Sequence, residues 1–336
     1  MNLFDYFREE IQVHTIYSKK FLTLIALSSL LTLTACGGGG GGGGNSGVTT
    51  VQVNAREAAQ IYIASVNTQN MLITLAMEEV PYLVSAGKTS ARDTGVNSCS
   101  LGGSTTLRFS DNDRNSSVST GDTYTTTYNN CNDGNGTVYV SGNISGTITA
   151  ANGTLPDFLY AGNPFGASNW SVQQNMTFTN FVTRNSSSSE TSTINGSATV
   201  NVSYDANRIT YNSSLTTNRL QSTDTFAGQQ TQFIYNPSNF AYSQNVSGAY
   251  SIDHDVSMSF SMDNQVINLT YTTAPPFGGN TDSEPTTGQV LVQGAGQPTM
   301  RVTALANGLF ALLETDNNND GIFESSEQAY WGSLGF

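Results

Sequence analysis

Between residues 254 and 271 the chain reads HDVSMSFSMDNQVINLTY, in which Val256, Met258, Phe260 and Met262 alternate with Ser257, Ser259 and Ser261. A two-residue period predicts strand with one face buried and one face wet, because successive side chains on extended backbone point to opposite sides. Similar stretches rich in β-branched and aromatic residues recur as GTVYVSGNISGTI (136–148), SVQQNMTFTNFV (171–182), NGSATVNVSYD (195–205), NRITYNSSL (207–215) and TGQVLVQGAGQPTMRVTAL (287–305). Asp205-Ala206-Asn207 and Asp263-Asn264 supply tight reversals between neighbours. About ten strands joined by turns predict a mostly β domain over 88–336, a large antiparallel meander forming a curved sheet or an incomplete barrel.

One segment keeps a different period. In NAREAAQIYIASVNTQNMLITLAMEEVP, Ala59, Ile63, Val66, Ile73, Met77 and Val80 recur at helical spacing, and Asn54 with Glu57 makes a variant capping box. The spacing predicts one N-terminal amphipathic helix over 54–87, packed on the sheet, with Pro81 ending or kinking it. Lysine, a common guard of sheet edges, is nearly absent, since Lys88 is the only one after Cys36. Closure of the sheet, or cover by the helix, is the economical answer. Outer-membrane lipoprotein carriers of the Lol type resemble this outline, with an open barrel packed around helices.

The amino end has its own logic. Residues 21–35, FLTLIALSSLLTLTA, carry no charge and follow Ser18-Lys19-Lys20, which is the order of a secretory signal and short for a membrane span. Leu33-Thr34-Ala35-Cys36 then resembles the lipobox of bacterial outer-membrane prolipoproteins. That resemblance implies cleavage after a 1–35 signal peptide and acylation of Cys36, with palmitate among the acyl groups, and Gly37 in place of Asp points to the outer membrane. Residues 36–53 then form a glycine-rich linker, a flexible leash of about 20 Å that lets the chain leave the bilayer before it folds. The long acidic stretch ahead of Ser18 suggests that the true start lies downstream of Met1.

With Cys36 acylated, Cys99 and Cys131 remain as an even pair in an oxidising compartment, which predicts one disulfide. Residues between them read as strand, polar loop and strand, so a hairpin centred near residue 115 brings the two cysteines opposite each other. The meander proper then runs over 137–336.

Two polar loops carry alternating oxygens. DNDRNSSVSTGD (111–122) and DNNNDGIFESSE (316–327) both begin and end with an acid and resemble the EF-hand or dockerin-type calcium loop. The resemblance assigns Asp316, Asn318, Asp320, the Ile322 carbonyl, Glu324 and Glu327 as ligands, with Gly321 at the sharp turn and Phe323 at the apolar place. In the first loop it assigns Asp111, Asp113, Asn115, the Ser117 carbonyl, Ser119 and Asp122, with Ser116 where glycine is usual. Calcium takes six to eight hard oxygens, and a tightly wound loop turns alternate residues inward. Acidic turns that only reverse strands have the same composition. Neither loop has flanking helices, so a Ca²⁺ cofactor here is expected to be a structural clip and not a switch.

Catalytic signatures are missing. His254 is the only histidine after Cys36, too few for a zinc site of the usual kind. No nucleophile elbow, Walker or dinucleotide glycine pattern appears, and Ser85-Ala86-Gly87-Lys88 is an S-x-x-K match without companions. Trp170 and Trp331 read as core residues. A net charge of −13 repels phosphate backbones, so nucleic acid is not an expected partner. The chain therefore reads as a non-enzymatic, lipid-anchored envelope protein, tied to the membrane by acyl groups, whose β domain is a structural or interaction module. A carrier of an apolar ligand such as an acyl chain is the alternative; a hydrolase would require Asp253 and Asp255 to converge in a cleft.

Overall fold

The computed structural model describes residues 52–88, 94–132, 137–155, 168–186, 190–226, 229–262, 265–281 and 283–336. The signal peptide, Cys36, the glycine run and the Asp263-Asn264 turn lie outside the described residues. Alternation becomes fifteen strands of one antiparallel sheet. The first ten are β1 (Thr94–Ser98), β2 (Ser104–Ser110), β3 (Thr123–Asn132), β4 (Thr137–Gly153), β5 (Trp170–Asn185), β6 (Thr191–Asp205), β7 (Thr210–Phe226), β8 (Gln229–Asn245), β9 (Ala249–Met262) and β10 (Gln265–Thr273). They are followed by β11 (Phe277–Asn280), β12 (Gln289–Gln293), β13 (Thr299–Ala304), β14 (Phe310–Asp316) and β15 (Ser325–Tyr330).

Each strand lies beside its sequence neighbour, except that β11 leaves the path to pair with β9 and β12 takes its place beside β10. Among the described residues β1 pairs only with β2 and β15 only with β14. The meander is therefore an open sheet, as the curved-sheet or incomplete-barrel reading expects, with β1 and β15 at its margins.

Long strands bend where their pairing slips. Register shifts fall at Ser141/Asn143 between β4 and β5, at Phe178/Phe181 between β5 and β6, at Ser197/Thr199 between β6 and β7, and at Tyr235/Ser238 between β8 and β9. Together they form a crease across the middle of the sheet, as bulges bend and twist the strand that carries them. Gly142 (φ 102°) and Gly196 (φ 118°) occupy it because no side chain fits. A Cβ on Gly142 would stand 2.2 Å from the Asn180 carbonyl oxygen, and one on Gly196 2.6 Å from that of Arg219.

Helix α1 (Ala55–Lys88) stands inside this curve. Its capping box forms as expected, with Glu57 N–H donating to Asn54 Oδ1 at 2.9 Å and Asn54 N–H donating to Glu57 Oε2 at 3.0 Å. Pro81 does not end the helix, which continues to Lys88. Proline forfeits one internal bond, and burial of Leu83 beyond it offsets the loss. The amphipathic pattern understates the burial. Ala58, Ala59, Ile61, Tyr62, Ile63, Val66, Leu72, Ile73, Leu75 and Ala76 are all buried, while Ala64, Asn67, Asn70, Thr74 and Met77 form a half-buried line along one side, and Arg56, Glu57 and Val84 toward the two ends are half-buried as well. A helix enclosed on nearly every side is a core element, not a lid. It touches β2, β6, β7, β13 and β14, strands from both halves of the sheet.

Polar contacts fix its position. Val53 N–H donates to Gln297 Oε1 at 2.8 Å, Arg56 pairs with Glu327 of β15 at 3.2 Å, and Asn67 Nδ2 donates to the Gly335 carbonyl at 3.2 Å. Gly335 follows the short helix α2 (Trp331–Leu334), whose buried Trp331 and Leu334 close one end of the core.

Cys99 and Cys131 form a disulfide with Cα atoms 5.3 Å apart. The pairing is as expected, but its geometry differs from a simple hairpin rung. An unforeseen strand, β1, precedes Cys99, which lies in the β1–β2 turn while Cys131 lies on β3. Leu101 N–H donates to the Asn132 carbonyl and Asn132 N–H to that of Gly102, so the turn folds onto the end of β3.

Candidate metal centres

Both acidic loops cap hairpins near the margins of the open sheet, the first joining β2 to β3 and the second joining β14 to β15. Their backbones follow one trace. Asp111 accepts from the N–H groups of Asn115 (3.2 Å) and Ser116 (2.8 Å), four and five residues on. Asp316 accepts from Asp320 (3.2 Å) and Gly321 (2.8 Å) in the same way. Arg114 (φ 61°) and Ser116 (φ 61°) match Asn319 (φ 59°) and Gly321 (φ 90°) in left-handed backbone. Ser116 thus takes the conformation for which the second loop uses glycine.

In the first loop Asp111, Asp113 and Asp122 each bring a carboxylate oxygen within 4.8 Å of the others. Asp122 is 0% exposed; its Oδ1 accepts from Asn112 N–H at 2.9 Å and its Oδ2 from Ser119 N–H at 2.8 Å. The Ser119 hydroxyl donates to Asp113 at 3.0 Å and to Asp122 at 3.1 Å, so it joins the cluster as expected. Asn115 Oδ1 accepts instead from the Ser117 N–H and hydroxyl. Partial desolvation works against ionisation of Asp111, but hydrogen bonds led by the Ser116 N–H hold its carboxyl below the usual range.

In the second loop the convergent acids are Asp316, Asp320 and Glu324. Asp320 Oδ1 accepts from Ile322 N–H at 2.8 Å, Asn318 Oδ1 accepts from Asp320 N–H at 2.9 Å, and Glu324 Oε2 accepts from Asn317 N–H at 2.7 Å. Glu327 stands apart from them. It lies on β15 opposite Leu313, and its carboxylate faces Arg56. The loop therefore closes at residue 324, because the strand that follows begins at Ser325. Phe323 packs over the Arg301 guanidinium, 4.1 Å from its Cζ to the ring centroid, while Arg301 grips Glu314 through two bonds of 2.7 and 2.8 Å. That stack ties the loop to β13 and β14.

These donor sets suit a hard divalent cation. Calcium holds oxygens at about 2.3–2.6 Å, so two ligands across one ion stand about 4.6–5.2 Å apart; the acids already lie within that reach. Among the described residues no lysine, arginine or histidine pairs with any of the six clustered carboxylates, and no thiol or imidazole joins them. The expected ligands Asp111, Asp113, Ser119, Asp122, Asp316, Asp320 and Glu324 are brought together.

The other ionisable groups lead elsewhere. His254 is 0% exposed between Ser65, Ser238 and Phe240, and burial pushes its pKa down to about 3. Asp253 and Asp255 sit on the opposite, wet face of β9. Burial first and the Asp255 charge second raise the Asp253 pKa, while Asp255 accepts from Thr273 N–H at 2.8 Å. Trp170 and Trp331 are buried as expected. Glu79, which with Glu78 reads in the sequence as a pair of neighbouring helix acids that point apart, is a carboxyl 5% exposed whose pKa burial raises to about 7 and which accepts from the Tyr128 hydroxyl at 3.1 Å. Its position two turns beyond Leu72 on the buried line of the helix was the available signal. Comparison with protein families, curated proteins and solved structures returned no match to this chain.

Proposed function

We propose that this chain is a non-enzymatic lipoprotein of the bacterial outer membrane, anchored through acyl groups on Cys36, whose β domain is pinned by Ca²⁺ and acts as a structural or interaction module of the envelope. The observation that carries the clip reading is the paired geometry of the loops. Two segments of different sequence adopt the same turn, and each gathers three carboxylates at a hairpin near an open margin of the sheet. Asp111, Asp113, Asp122 and Asp316, Asp320, Glu324 would hold the ions, which would supply charge neutralisation and no chemistry. The disulfide at the first margin and the Arg56–Glu327 pair at the last one act to the same end.

Filling of the sheet's inner face by α1 supports a module over an acyl carrier. Burial of His254 and separation of Asp253 and Asp255 from it support a role without catalysis. Melting the mature protein with Ca²⁺ and then with chelator tests the metal; an unchanged midpoint would remove it. Mass measurement tests the anchor, with a diacyl or triacyl mass on Cys36 expected and an unmodified amino end counting against it.

A further inference from the structure

Tyr62, Ser65, Gln69, Leu72, Ala76 and Glu79 follow one another along α1 at alternating steps of three and four, which places them on one line down the helix. All six are buried. With one exception the polar groups on this line reach the inner face of the sheet. Tyr62 bonds to Thr273 of β10 at 3.0 Å, Ser65 approaches His254 of β9 at 3.4 Å, the Ala76 carbonyl accepts from Gln174 of β5 at 3.1 Å, and Glu79 accepts from Tyr128 of β3. Partners thus advance along the helix from β10 to β3. Gln69, midway, falls over the strands between β9 and β5.

Gln69 is the exception. Its side chain is 0% exposed, yet neither Oε1 nor Nε2 has a hydrogen-bond partner. Tyr271, whose ring lies 5.5 Å from that of Tyr62, is also fully buried with an unpartnered hydroxyl. Native interiors seldom leave both ends of an amide unmet, and enclosed water, present at about one molecule per 27 residues, is the usual remedy.

We infer that the seam between α1 and the sheet is a buried hydration site, in which at least one internal water binds the Gln69 amide and links the helix to the inner face between β9 and β5. Water suits the seam because its members, the Gln69 and Gln174 amides, the Tyr62, Ser65 and Tyr271 hydroxyls, the His254 imidazole and the Glu79 carboxyl, offer donors and acceptors together, with no lysine or arginine in the contacts named above. A molecule with two donors and two acceptors serves an amide at either end. This inference is independent of the anchor and of calcium.

Water oxygen-17 relaxation dispersion on the disulfide-intact protein, compared with Gln69→Leu, tests it. The expected result is loss of at least one long-lived water in the variant, with the β circular dichroism unchanged. Equal dispersion in the two proteins overturns the inference. Should Gln69→Leu fail to fold, a crystal structure of the unaltered chain that resolves ordered solvent decides the matter. Density within hydrogen-bond distance of Oε1 or Nε2 supports the site, and a dry amide refutes it.

Discussion

Glu79 and His254 are buried without charge, and they pull stability in opposite directions as pH changes. Unfolded chain sheds the glutamate proton near pH 4.5, while folded protein keeps it to about pH 7. The neutral carboxyl's contribution is therefore complete below pH 4.5 and lost as pH rises through 7, at about 1.4 kcal/mol per unit and about 3 kcal/mol in all. The imidazole behaves in the reverse sense. Unfolded His254 binds a proton below about 6.5 and the folded residue only near 3, so stability falls as pH drops across that window. Denaturant titrations should show a plateau between pH 4.5 and 6.5, where the two slopes offset. Glu79→Gln should remove the decline toward pH 7, and an unchanged decline would show that the carboxyl is not its source.

The acidic loops make a second prediction at this scale. At free Ca²⁺ ten times the dissociation constant, one site adds about 1.4 kcal/mol. Asp316→Ala should abolish the second loop's share of the shift in melting temperature. Glu327→Ala should keep that shift and lose only an exposed ion pair worth about 0–1 kcal/mol. Loss of the shift in Glu327→Ala would return that residue to the ligand set. Spacing alone made Asp316, Asp320 and Glu324 legible, because alternate residues of a tight turn converge. Glu327 falls outside that convergence because the start of a strand, fixed by pairing with β14, decides where the loop ends.

Among the elements, the helix was read correctly at its cap, where four residues suffice, and its burial was underestimated because the enclosing strands lie far along the chain. Strand β8 escaped notice for a local reason. Its Asn236-Pro237 pair resembles a turn, yet it falls at the register shift, where a ladder tolerates proline. The crease itself is testable. Gly142→Ala should cost about 1–3 kcal/mol, read as a lowered denaturation midpoint, since its positive φ and the Asn180 carbonyl leave no room for a methyl group. A neutral result would mean that the bulge can flatten. The disulfide bridges a separation of 32 residues, and replacing both cysteines with serine should cost about 3–4 kcal/mol in the chain-entropy account. Amide exchange should then quicken in β1 and β2 and stay slow in β5 to β7. Uniform quickening would contradict a local clip.

For the molecule as a whole, composition spoke to surface more than to closure. With charged residues at only 11%, hydroxyls and amides cover the outer face, where pairs such as Thr127–Asn143 and Thr199–Asn175 bond across strands at 2.8 Å. Whether such a sheet closes depends on strand number, bending and the bulk of what it encloses, and none of these is written in a two-residue period. Cys36→Ser should release the protein from membranes while leaving the β circular dichroism intact. Retention of the variant in the membrane fraction would mean that something other than acyl groups holds it.

Strand order that copies chain order has a consequence for how the molecule is made. Except at β11 and β12, each strand can join its predecessor as soon as it emerges, with little loop-closure entropy to overcome. The helix, first of the described elements to appear, must wait for Gln297, Glu327 and Gly335 before its own end is secured. A chain cut short by its last forty or so residues would therefore still pair most of its ladder, and would leave its oldest turn bare for chaperones and proteases to find.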